Sequence, residues 1–227
     1  MLPLKILWSL LLGRRMRHVA IKGRTEERLL MVVGLGNHGM GSTRHSVGMV
    51  AVNLLARRLN IADQWKTDKQ SKADIVQTQI DGLQLVLLKP RQFMNINGHS
   101  VAKAAEKFNL TPEYIYLLHD ELDKPIGKVS LKLGGSARGH RGVRSCIECL
   151  QSDIMVRLLI GIGRPPDHSS VVRHVLEPFT RPEQEILPQV LEQGLDKLLA
   201  HIRQRASLAS AESNVTIKNA GSNPSKS

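Results

Sequence analysis

Asn37 and His45 flank a glycine-rich turn, Gly34-Leu-Gly-Asn-His-Gly-Met-Gly-Ser-Thr-Arg-His45, and two further segments, Phe93-Met94-Asn95 and His119-Asp120-Glu121-Leu122-Asp123, follow apolar runs. An imidazole beside a carboxylate is a proton-transfer device. The carboxylate binds one ring nitrogen, fixes the tautomer and leaves the other nitrogen free to take a proton. Read from residues alone, His45 and Asp120 are either such a pair or a capping histidine and an unrelated structural aspartate. Asn37 and Asn95 are either turn residues, since asparagine tolerates left-handed backbone, or amides oriented toward a peptide group or a developing oxyanion. Ser42, Ser46 and Ser136 are present, but no G-x-S-x-G elbow surrounds them. The combination points to water as nucleophile and to a hydrolase.

These residues need elements that bring them together. Leu29–Gly34 is a short apolar run, the pattern of a strand buried on both faces, and apolar residues at helical spacing predict a helix over Arg44–Asn60, with Ser42 or Thr43 as its cap. Ile61–Lys72 is polar and reads as a loop. Ala73–Ile80 and Leu83–Lys89 flank Asp81-Gly82, a two-residue hairpin signal. A helix over Ser100–Phe108, strands over Tyr114–His119, Lys128–Leu133 and Arg157–Ile162, a helix carrying Cys146 and Cys149, and a long amphipathic helix over Glu183–Ala206 follow. This alternation predicts an α/β fold, a single domain with a twisted mixed β-sheet covered by helices on both faces. In such a sheet, ligand groups gather at the carboxyl ends of the parallel strands.

The chain has 227 residues and a net charge of +12, so a polyanionic partner is expected. Seven basic residues against Glu26 and Glu27 lie in a leader, 1–28, yet the body remains basic. The leader's apolar stretch precedes its arginines, the reverse of a secretory signal. The expected compartment is mitochondrial or cytoplasmic. The body is expected over 29–208 and a Ser- and Asn-rich disordered tail over 209–227. No run is long enough to span a bilayer. Cys146 and Cys149 form C-x-x-C inside a helix with no second ligand pair, so they read as packing residues rather than a zinc or redox site. From Lys124 to Ile147 there is no acidic residue, while Lys132, Arg138, Arg141 and Arg144 accumulate around a glycine-rich loop. Aromatic residues are only 3% of the chain, which favours recognition of a folded polyanion's backbone over base stacking.

Gly34-Leu-Gly36-Asn-His-Gly39 also matches the dinucleotide fingerprint G-x-G-x-x-G, making a dinucleotide-dependent oxidoreductase, with nicotinamide or flavin, the weaker alternative. The acidic residue that should hold the ribose is missing at the required spacing: Asp63 lies in a polar stretch, and the next strand ends only at Ile80-Asp81.

Gly34-Leu-Gly-Asn37, Thr43-Arg44-His45, Lys89-Pro90, Phe93-Met94-Asn95, His119-Asp120-Glu121-Leu122-Asp123, Lys132-Leu-Gly-Gly135, Gly139-His140 and Gly161-Ile-Gly163, in this order, resemble the bacterial-type peptidyl-tRNA hydrolases, here in a eukaryotic member. The likeness runs from about Leu29 to Arg205. It implies a monomeric hydrolase, without metal or cofactor, that cleaves the ester joining peptide to the acceptor end of tRNA and serves translation by ribosome rescue. It implies His45 as general base and Asp120 as the carboxylate that orients it. Asn37 would separate blocked from free aminoacyl groups, Phe93, Met94 and Asn95 would lie near the tRNA 3′ end, and Lys132 would contact tRNA phosphate, with Arg138 and Arg144 in the same basic stretch. Several positions depart from the family pattern: the usual Asn-Pro-Gly turn is Asn37-His38-Gly39 here, the loop to His45 is shorter and lacks a tyrosine common in bacterial members, and two further departures touch the substrate. Arg141 stands where asparagine is usual, and a guanidinium donates hydrogen bonds but cannot accept them. Leu159 stands where a basic residue is common. The first alternative is therefore a catalytically impaired tRNA-binding protein, with Arg141 still counted among the substrate-binding residues.

Overall fold

The structure, a computed structural model, describes residues 29–165, 167 and 170–220; the basic leader lies outside them. One sheet of seven strands organises the chain, in the order β2-β3-β4-β1-β5-β7-β6. Four central strands are parallel: β1 (Leu29–Gly34) lies between β4 (Leu83–Pro90) and β5 (Ile115–Glu121), and β5 pairs with β7 (Val156–Gly161). The remaining strands are antiparallel to their neighbours: β3 (Ala73–Ile80) on β4, β2 (Lys66–Asp68) on β3, and β6 (Val129–Leu133) on β7. The mixed sheet and its hairpin match expectation. Asp81 and Gly82 both have positive φ, 49° and 77°, as the tight turn of a right-twisted ladder requires. The expected loop 61–72 contains edge strand β2. Its polar residues hid it because an edge strand exposed on one side needs no apolar alternation.

The central strands are apolar at nearly every position because helices cover both faces. Leu30, Val32, Leu118, Leu158 and Ile160 pack under α1 (Val47–Arg58) and α5 (Arg181–Ala220). Met31, Val33, Val86, Leu88 and Leu117 pack under α2 (Asn97–Lys107) and α3 (Arg141–Leu150). Helices α2 and α3 approach so closely that a Cβ on Gly98 would collide with the Ser145 carbonyl. Helix α5 carries Pro188 and runs to Ala220, through residues expected to be disordered from 209. Ala206, Ala209, Ala211 and Glu212 are good helix formers that the Ser- and Asn-rich composition masked. Among the described residues no helix is long and apolar enough to cross a membrane.

Strand β6 runs antiparallel to β7, so the chain must return across the sheet before α3 can start. Residues 134–140 make that crossing and leave carbonyls without strand partners. Arg157, buried on β7, donates to the carbonyls of Gly135 and Ser136 and, at 3.3 Å, of Asp153. A buried guanidinium is tolerated there because both of its terminal nitrogens are spent on backbone acceptors, although its buried Nε finds none.

Candidate active site

The carboxyl ends of β1, β4, β5 and β7 open on a cavity of about 570 Å³. Asn37, His45, Phe93, Met94, Asn95, Asp120, Arg138 and Arg141, all expected at a site, line it. Lys132 and Arg144 do not. Lys132 lies near the far end of β6, paired in register with Arg157, and its ammonium lies over Gly135, 3.3 Å from where a Cβ on that glycine would stand. Arg144 is exposed one turn into α3.

His45 sits in a short 3-10 turn, Arg44–Ser46, ahead of α1 rather than inside that helix. Several bonds lock the turn. Arg44 N donates to the Glu177 carbonyl at 3.0 Å, and the buried Arg44 guanidinium pairs with Glu183 at 2.7 Å. Thr43 forms no side-chain cap; its hydroxyl donates to the Met40 carbonyl. Asn97 joins the loops after β1 and β4: its Oδ1 accepts from Gly36 N at 3.0 Å and its Nδ2 donates to the Phe93 carbonyl at 2.9 Å.

The His45 Nδ1 lies 2.9 and 3.0 Å from the two oxygens of Asp120, whose side chain is buried on β5. A second imidazole shares that carboxylate. His140 Nε2 lies 2.9 Å from Asp120 Oδ1, while His140 Nδ1 accepts from Val143 N and so caps α3. Because Nδ1 is an acceptor, the neutral His140 ring carries its proton on Nε2 and donates it to Asp120. Asp120 thus accepts from two rings, and His45 Nε2 has no partner among the described residues on a ring that lines the cavity. Burial alone would raise the Asp120 carboxyl. The charges and hydrogen bonds of His140 and His45 outweigh it and hold the carboxyl well below the usual range, so it stays ionised at neutral pH. His45, Asp120 and His140 place their ligand atoms within 4.8 Å of one another, close enough for a metal ion. The helix cap leaves His140 Nε2 without a lone pair to offer one, so the donors fit mutual hydrogen bonding better than coordination.

His140 is the residue that residue-level reading missed as a site member. The available signal was its place after Gly139, immediately before a helix, where a side-chain acceptor is needed. Arg164 and an apolar wall on α4 (Val171–Leu176), with Val172 and Leu176 exposed, were also unforeseen. His119 backs the site. Its Nδ1 donates to the Asp120 carbonyl at 2.6 Å and its ring lies 4.6 Å from His140, while its buried Nε2 has no partner. Burial, reinforced by the His140 ring, pushes His119 down to about 3. Between the ordinary histidine value of 6.5 and that value, the unfolded chain binds a proton that the folded protein refuses. Stability is therefore expected to fall as pH drops through that window, by up to about 1.4 kcal/mol per pH unit. His201, also lowered chiefly by burial, adds to the same slope, and Asp120 adds only below the ordinary carboxylate value of 3.8. Urea titrations from pH 6.5 to 4 should give a flatter slope for His119→Gln; an unchanged slope would place the proton uptake elsewhere.

A larger hollow of about 890 Å³ on the α2–α3 side is lined by His99 and Cys149, among others. It holds no imidazole–carboxylate pair, and burial pushes the Cys149 thiol up, away from nucleophilic use. The buried Cys146 is likewise raised, chiefly by burial, and both cysteines are free thiols. The glycine turn shows no dinucleotide geometry. Strand β3 is antiparallel to β4, so Asp81 lies at the opposite edge of the sheet, where it pairs with Arg203.

Fold and site together define an α/β protein with an imidazole–carboxylate pair at the carboxyl edge of its sheet. The chain belongs to the peptidyl-tRNA hydrolase family, whose sequence profile matches residues 31–222. It is 58% identical over 176 residues to the probable peptidyl-tRNA hydrolase of Mus musculus, covering 78% of this chain and 86% of that one. It is 42% identical to the peptidyl-tRNA hydrolase of Nocardia farcinica, over 73% of this chain and 86% of the other. The crystal structure of the Acinetobacter baumannii peptidyl-tRNA hydrolase superposes with a TM-score of 0.68 at 31% identity, covering 80% of this chain and 94% of that one. A peptidyl-tRNA hydrolase solved with N-propanol gives 0.69 at 33% identity, covering 75% and 86%.

Proposed function

We propose that this protein is a peptidyl-tRNA hydrolase that cleaves, as a monomer, the ester between an N-blocked aminoacyl group and the acceptor end of tRNA, recycling stalled peptidyl-tRNA. The observation that carries the reading is the Asp120 carboxylate holding His45 by Nδ1 at 2.9 Å inside a cavity at the strand ends. With Nδ1–H donated to Asp120, the His45 Nε2 lone pair takes a proton from water as that water attacks the ester carbonyl. Asn95, exposed on the cavity wall, supplies an amide for the developing oxyanion. The protonated His45 then returns its proton to the departing ribose oxygen.

Selectivity for a blocked amine follows from Asn37. Its buried Oδ1 accepts from Met94 N at 2.7 Å, so its Nδ2 is left as a donor. A donor suits the carbonyl of an N-acyl group and meets a free ammonium donor to donor. N-acetyl-aminoacyl-tRNA should be hydrolysed at least about tenfold faster than free aminoacyl-tRNA, the worth of one hydrogen bond to a charged or oriented partner. Equal rates would remove Asn37 from this role. Lys132, Arg138 and Arg144 supply phosphate contacts, so tRNA affinity should fall steeply with salt; a flat response would move the tRNA elsewhere. A second reading, a tRNA-binding protein with weak turnover, is favoured by Arg141 on the cavity wall. Tight binding of the blocked substrate without cleavage would support it, and recovery of turnover in Arg141→Asn would locate the cause. We further infer a mitochondrial or cytoplasmic site of action from the leader's composition, to be decided by imaging fusions with and without residues 1–28.

A further inference from the structure

We propose that Arg138 and Arg141 form a subsite for an oxyanion of the substrate, flanking His140 on the wall of the catalytic cavity. The proposal rests on the hydrolase reading above and adds to it which group of the substrate the site grips.

The arginines near the cavity divide into two kinds. Arg44 is paired with Glu183, and Arg164 with Asp123 at 2.6 Å. Arg138 and Arg141 are exposed, line the cavity, and have no carboxylate partner among the described residues. The lining carboxylates do not answer them. Asp120 is taken by two imidazoles, and a Glu121 oxygen accepts from Asp123 N. Arg138 also holds a backbone conformation that a non-glycine residue avoids, with φ 45°. Such strain is commonest where a site requires it. Arg138 also adds positive charge to the loop behind the cavity: burial first, then Arg138 and Arg157, push the Lys132 ammonium below its ordinary value against the opposing pull of Glu121 and Asp153. A partner of opposite sign would relieve that repulsion.

The two residues lie two positions before and one position after His140, the ring bonded to Asp120, so an anion held by them lies within a side chain's length of the reacting ester. Guanidinium groups grip the paired oxygens of phosphate or carboxylate in a fork. A peptidyl-tRNA offers such oxygens at two places beside its ester: the phosphate on the 5′ side of the terminal ribose, and the side-chain carboxylate of an acidic last residue.

The test pairs charged probes with neutral ones. Binding of adenosine 5′-monophosphate against adenosine, and of N-acetyl-aspartate α-amide against N-acetyl-asparagine α-amide, is measured by calorimetry on the full chain, on Arg141→Asn, Arg141→Lys and Arg138→Asn, and on the double variant. Asparagine is chosen at 138 because it tolerates left-handed backbone. The charged member of one pair should bind the unsubstituted protein about tenfold or more tighter than its neutral partner. That preference should shrink in each neutral variant, vanish in the double variant, and survive in part in Arg141→Lys. The pair that responds identifies the source as phosphate or as acidic side chain. Equal binding of charged and neutral probes to the unsubstituted protein, or a preference that outlives both arginines, overturns the proposal. Because binding is read without turnover, a protein that grips the anion yet cleaves no blocked ester would count against the hydrolase reading alone.

Discussion

Replacing His45 by alanine is expected to lower kcat by about 10²–10⁴, the worth of a positioned general base, while leaving tRNA affinity close to that of the unsubstituted protein. The ring touches Asp120 and the cavity, whereas the basic residues Lys132 and Arg144 lie off the cavity wall and are untouched by the change. Stopped assays with N-acetyl-aminoacyl-tRNA at saturating and limiting substrate separate the two effects. Loss in kcat with KM unchanged marks an interaction made at the transition state. Added imidazole should return part of the rate by occupying the vacated space and supplying the missing base. A variant that keeps more than about a tenth of the activity would mean that the attacking water is activated by something else.

Asp120→Asn is expected to act about as strongly, near 10⁴-fold, by a different route. The carboxylate accepts ring protons from both His45 and His140. A carboxamide has a single acceptor oxygen, and its NH2 group opposes one of the two ring N–H groups. His45 then either loses its anchor or flips its tautomer, which places a proton where the lone pair is needed. The cost to folding should be smaller, about 1–3 kcal/mol for one unsatisfied buried donor, or roughly 2–4 °C in Tm for each kcal/mol. A kcat loss much larger than the melting shift can account for distinguishes misplaced chemistry from unfolding. If Asp120→Asn turned over normally, the carboxylate would be a structural neighbour and no more.

The same carboxylate shows where residue-level reading runs out. Asp120 was legible at the end of an apolar run, and His45 at the end of a glycine turn, because strand ends and turns announce themselves through local composition. That both belong to one cavity followed from the general behaviour of parallel sheets. That His140 completes the arrangement depended on the loop 134–140 crossing the sheet face: its place before a helix signalled a cap, but no local pattern brings its ring against Asp120. Asn37 is a similar case. Its residue type left a turn and an oriented amide equally open, and only the bond from Met94 N decides which end of the amide is presented.

By itself, then, the amino-acid order determined the strands of the core, the hairpin at Asp81-Gly82, the helices over both faces and the family, since periodicity and turn chemistry act over a few neighbouring residues. Edge strand β2 and the helical course of residues 209–220 escaped it, because polar segments take their structure from what they pair with or continue. The tertiary structure alone decided the strand order, the sharing of Asp120 between two imidazoles, the burial of Arg157 beneath the crossing loop and the exposure of Arg138 and Arg141 in the cavity. The physical reason is common to all four. A hydrogen-bonding or charged group is defined by the partner it meets, and those partners come from segments that only the folded sheet brings together.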